Sequence, residues 1–140
     1  MKRKERTKIL IKSDRSVAKR IAETLEAKYS FTTLVEPQYG LTMLKMRESA
    51  QNSLFYLGEV LVTECKVMLE NDIGVGVVIG TEMELAKYLA IIDAAFEAEV
   101  MEVPSIQETL QKEKQNIETE MFKKQTALLK TKVNFETMEV

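Results

Sequence analysis

The chain has 140 residues, 45% of them apolar and 30% charged, which suits a single domain over residues 1–140 with a buried core and a well-solvated surface. Twenty Lys plus Arg against 22 Asp plus Glu leave a formal charge of -2, too balanced for a domain that grips nucleic-acid backbone. The lack of histidine excludes Ser-His and Cys-His nucleophilic pairs and His metal ligation, and the one cysteine, Cys65, excludes an internal disulfide, a cysteine-rich zinc site and a self-contained iron-sulfur cluster.

Residues 1–12 are basic around Ile9, Leu10 and Ile11, an apolar run too short for a signal peptide or a membrane span. They are read as a short helix of a cytoplasmic protein with no membrane partner. From Ser13 to Lys28 a second helix is expected, capped by Ser13 or Asp14, with Val17, Ile21 and Leu25 on one face. Strands are expected near 30–36, 40–47, 54–69 and 75–79, where Thr, Val, Leu, Phe and Tyr accumulate. In the third, Leu61, Thr63, Cys65, Val67 and Leu69 alternate with polar Glu64 and Lys66, as on a half-buried strand. Turn residues at 37–40 and 71–74 favour short antiparallel connections.

Helix returns at Thr81, where Thr81 and Glu84 fit a capping box and Leu85, Tyr88, Leu89, Ile92 and Phe96 form an apolar stripe. A second box, Ser105 with Glu108, opens a long polar helix to about Lys130, with Glu108/Lys112 and Glu120/Lys124 as helical ion pairs. The expected fold is α+β: an antiparallel β-meander of about four strands with an N-terminal helix and two C-terminal helices, the last one long. The stripe Ile106, Leu110, Ile117, Met121 and Leu128 is too narrow for a helix buried on one small sheet, and the tail from Val133 reads as a strand. Ile117, Met121, Leu128, Val133, Phe135 and Met138 are therefore the candidate partner-binding residues.

Chemistry-bearing candidates are few. Gly74, Gly76 and Gly80 precede a helix, but Gly74 and Gly76 open an apolar run, and Glu82 and Glu84 would repel an anion at the helix start, so strand punctuation and a helix cap are preferred over a phosphate loop. Cys65 alternates with core residues and is expected to be buried and inert. Asp93, inside an apolar helix, is expected at the edge of the buried stripe or paired with a base. The basic start has no interleaved aromatic to stack on bases and is read as a solvated terminus.

Three stretches in order give a more specific signal: the strand from Gly58 to Leu69, the stretch from Gly80 through Ala86 to Ile92, Asp93 and Ala94, and Val133-Asn134-Phe135-Glu136-Thr137-Met138. Together, over most of residues 13–140, they resemble the PhnG family, the G subunit of the bacterial carbon-phosphorus lyase core complex. The chain departs from that pattern at Glu64, where the family usually has Arg, at Thr81-Glu82, where it has Arg-Asp, and at Asn134, where it has Asp. It also has residues 47–53 in place of a basic, glycine-rich link and lacks an N-terminal tryptophan.

The resemblance implies a transferase subunit of phosphonate metabolism. With the I, H and L subunits, and J in the same complex, it would serve ATP-dependent formation of a ribose 1-phosphonate 5-triphosphate with release of adenine. The residue inventory makes this chain a structural or activating component with no cofactor of its own and no assigned catalytic residue, ATP being a substrate of the complex. The alternatives are an unrelated adaptor that binds through the long helix and a small anion- or nucleic-acid-binding protein.

Overall fold

A computed structural model describes residues 1–139 apart from Glu48, with the backbone alone for Tyr56 and residues 131–139. The elements run α1 (Arg3–Lys12), α2 (Arg15–Lys28), β1 (Thr32–Arg47), β2 (Leu54–Leu69), β3 (Asp72–Ile79), α3 (Met83–Glu97) and α4 (Val103–Glu139). This is the α+β meander expected from the sequence, with two N-terminal helices and a long last helix. The sheet order is β1-β2-β3, all antiparallel.

The two strands expected at 30–36 and 40–47 are both extended, but they join as β1. Pro37 makes no turn; the register with β2 shifts between Val35 and Gln38, and an edge strand tolerates a residue without an N–H. The β2–β3 turn falls earlier than expected, at Glu70 and Asn71, with Glu70 in the left-handed region at φ 57. β3 pairs only with residues 62–69 of β2. The rest of β2 and its partner in β1 therefore run on as a two-stranded arm, residues 41–61, some seven residue pairs and about 24 Å long.

The core lies between one face of the three-stranded part and the helices. Thr63, Cys65, Val67 and Leu69 of β2 alternate inward as expected, whereas Leu61, where the arm begins, is exposed. α3 covers this face; Leu85, Leu89 and Ile92 of its stripe are buried with Ala86, Ala90 and Ala94. Gly74 and Gly76 are where α3 approaches most closely. A Cβ on Gly74 would overlap the backbone of Ala90 and Ala94, and one on Gly76 that of Ala86 and Ala90. The glycines serve helix-on-sheet packing. Behind α3, α2 buries Val17, Ile21 and Leu25, and Asp14 caps it by accepting from the Ser16 N–H at 2.9 Å.

Both expected capping boxes fail. α3 starts after Glu82, which makes no side-chain cap. The Thr63 hydroxyl on β2 does that work from a distance, accepting from the Glu82 N–H at 3.0 Å and donating to the Gly80 carbonyl at 2.6 Å. α4 begins at Val103, with Pro104 in its first turn, where a missing N–H costs nothing. The tail is no strand: α4 continues helically to Glu139, because extending a helix by a residue such as Val133 or Phe135 costs only tenths of a kcal/mol (~0.5) in propensity.

Candidate interaction surface

Asp93 lies on α3 with its side chain buried, and its two arginine partners come from 87 and 90 residues away in sequence. Its Oδ1 accepts from Arg3 Nε and from an Arg6 guanidinium nitrogen, each at 2.9 Å. Oδ2 accepts from the Val75 N–H at 2.9 Å. Arg6 is itself buried, donates to the Met1 carbonyl at 3.0 Å and stacks 4.1 Å from the Phe96 ring centroid. Arg3 reaches on to Glu97, and its hydrogen bond to Asp93 raises its pKa. Both carboxylate oxygens are thus engaged, and among the described residues every buried side-chain N or O atom has a partner. The cluster fastens α1 to α3 and β3.

Cys65 is buried in the core, as its alternation implies. Burial pushes its thiol pKa up, and the nearby Glu36 carboxylate adds to the effect, which is the reverse of what a nucleophilic thiolate needs. Among the described residues no group of three Asp, Glu or Cys side chains stands close enough to hold a metal ion, and no helix is long and apolar enough to cross a membrane. At the start of α3, Glu82 is held by two Arg15 donors at 2.7 and 3.0 Å.

The unsatisfied chemistry of this chain is apolar surface. On the arm Leu41, Met43, Leu44, Met46, Leu54, Phe55 and Leu57 are exposed, Leu41 at 67%. On the outer face of β3, Ile73, Val77 and Ile79 are exposed as well, the last at 74%. Exposed apolar areas of this extent mark interaction sites. The sequence reading missed the arm, although Leu41, Met43, Leu44 and Met46 in so short a stretch were a signal of it.

The six expected partner-binding residues fall into three groups. Ile117 is half-buried and packs against the core. With Ile9, Lys8, Lys12, Lys114 and Met121 it lines a groove between α1 and α4, closed at one side by Lys114 and Glu5 at 3.0 Å. That pairing lowers the Glu5 pKa and raises that of Lys114. Met121, at the end of that groove, is exposed, as are Phe122, Leu128 and Leu129 further along α4. The side chains of Val133, Phe135 and Met138 lie outside those described. α1 lies beside the stripe as far as Met121, and α4, 37 residues and about 55 Å long, runs on beyond it.

Fold and surface define a class: a small α+β protein whose buried polar side chains are engaged in holding the fold and which exposes apolar side chains on its arm and last helix. No curated protein matches the chain. The model of the family described as phosphonate metabolism protein PhnG matches residues 1–139, and the chain belongs to that family. Its role lies in phosphonate metabolism.

Proposed function

We propose that the chain is a non-catalytic subunit of the carbon-phosphorus lyase core complex, acting in the cytoplasm. In that complex it supports the I, H and L subunits, with J, in exchanging the adenine of ATP for a phosphonate at the ribose anomeric carbon. The reaction type is that of an α-D-ribose 1-methylphosphonate 5-triphosphate synthase, ATP is a substrate of the assembly, and this chain brings no cofactor. Membership of the family supports the pathway. The observation that carries the non-catalytic role is the full engagement of Asp93, the most buried acid among the described residues, by two arginines and a backbone N–H. The exposed stripe of α4, with Met121 and Leu128, and the following Val133, Phe135 and Met138 serve as a docking surface for the larger subunits.

Reconstitution tests this. The chain is mixed with ATP and methylphosphonate, alone or with its partner subunits, and adenine is followed by chromatography. No adenine from the chain alone, and loss of adenine when it is omitted from the full mixture, are the expected results. Turnover by the chain alone contradicts the non-catalytic role, and undiminished turnover without it contradicts the subunit role.

A further inference from the structure

The edge of β1 is the part of the molecule with backbone groups left over. In the antiparallel sheet a residue's N–H and C=O point to the same side. The Gly80 N–H donates to the Leu61 carbonyl at 2.8 Å, so Leu61 turns its backbone toward β3. Leu41 lies directly opposite Leu61 on β1 and must therefore turn its own N–H and C=O away from β2. The register is unbroken from Gln38 to Leu44, so Tyr39 and Met43 do the same, and β1 carries this alternation on to Lys45. Four residues on a strand at the sheet edge thus present unpaired donors and acceptors beside exposed apolar side chains.

We propose that this edge joins two copies of the chain, β1 pairing antiparallel with β1 across a two-fold axis at Thr42. The proposal does not depend on the reaction assigned above. Positions 39, 41, 43 and 45 are symmetric about Thr42, so 39 meets 45 and 41 meets 43 of the second copy, and every outward backbone group from 39 to 45 finds its complement. The side chains agree. On one face Tyr39 receives Lys45 and Leu41 receives Met43; on the other Gly40 leaves room for Leu44, and the two Thr42 residues face each other. The charges agree as well. β1 carries Glu36 toward its start and Lys45 and Arg47 at its end, so antiparallel pairing sets the acid of each copy beside the bases of the other. Pro37 bounds the pairing, because it has no N–H to offer. The result is a continuous six-stranded sheet with no long open edge at its centre.

The full chain is tested by light scattering after gel filtration at micromolar concentration, and by cysteine cross-linking. Facing residues that are not hydrogen-bonded to each other sit with Cα atoms about 4.5 Å apart, within disulfide reach. Thr42→Cys should therefore cross-link into a covalent pair on mild oxidation. Leu44→Cys, four residues out of register with its own copy, should stay unlinked, and the native Cys65 is buried. The wild-type chain should elute at twice its monomer mass, and Leu41→Lys with Met43→Lys should halve that mass while keeping the circular dichroism spectrum. A monomeric wild-type chain, a dimer that survives the double lysine change, or cross-linking at Leu44→Cys as readily as at Thr42→Cys overturns the proposal. The first of these would leave the edge to a strand of a different protein.

Discussion

β1 and β2 belong to two structures at once, a body and an arm, and only one of them is packed. Between 62 and 69, β2 has β3 beside it and α3 above it, and Cys65, Val67 and Leu69 are buried. Between 54 and 61 the same strand has one neighbour and no helix, and Leu54, Phe55, Leu57 and Leu61 are exposed. Hydrophobicity alone does not separate the halves, since the arm is as rich in Leu and Met as the core. What separates them is what stands opposite: glycines that admit a helix in the body, and open space in the arm. Burial of apolar area stabilises a fold only where a cover exists, so the body's side chains contribute to the stability of the single chain and the arm's exposed ones add little.

The comparison breaks most sharply at Asp93. Asp93→Ala leaves the buried Arg6 guanidinium without its carboxylate and the Val75 N–H without an acceptor, and should destabilise the body by about 3–5 kcal/mol in urea unfolding. Asp93→Asn keeps an acceptor for Val75 and should lose less. Gly76→Ala comes next. Its methyl meets the α3 backbone at Ala86 and Ala90, and moving that helix should cost about 1–3 kcal/mol, whereas Gly40→Ala, with open space around it, should cost little. Thr63→Val keeps the shape of a buried side chain but strands the Glu82 N–H and the Gly80 carbonyl, an expected loss of about 1–2 kcal/mol with the early turn of α3 the first part to exchange its amides.

Smaller still is the acid dependence. Glu102 is held below the usual carboxylate range by the Tyr29 hydroxyl and Lys28, Glu5 by Lys114, and Asp14 by the Ser16 N–H. Each is depressed in the folded chain, so its contribution is complete above the unfolded value near pH 4 and disappears as pH falls through the lower folded value. Melting temperature should hold from neutrality to about pH 5 and decline below that, with Glu102→Gln flattening part of the decline. A flat profile down to strongly acid pH would show that these groups contribute nothing.

Local patterns were legible in the sequence and distant partners were not. α2 could be read because its cap, Asp14, and its stripe lie within a few residues of each other, and β2 because strand alternation is local. The cap of α3 could not, since the group that supplies it, Thr63, sits on another strand. Asp93 was recognisable as an acid needing a base, but Arg3 and Arg6 are brought to it only by the packing of α1. Gly74 and Gly76 read as punctuation because the α3 backbone that needs their bareness is a tertiary neighbour. Pro37 suggested a turn, and the structure keeps it inside a strand because β1 is an edge. The candidate surface was legible only in part: the stripe of α4 could be read from its spacing, whereas the cluster Leu41, Met43, Leu44 and Met46 could be told from a core strand only once β3 is seen to stop at residue 79.

The most direct test of the division is the thermal unfolding of two variants, Leu41→Ser with Met46→Ser, which removes the larger apolar surface, on the arm, and Val67→Ala in the body, compared with the unchanged chain under conditions that keep all three monomeric. The arm variant should unfold within about 0.5 kcal/mol of the unchanged chain, while the body variant should lose about 1–3 kcal/mol, because only there does a cavity form. An arm variant that loses as much as the body variant would contradict the account, since it would show that the exposed strands support the fold itself.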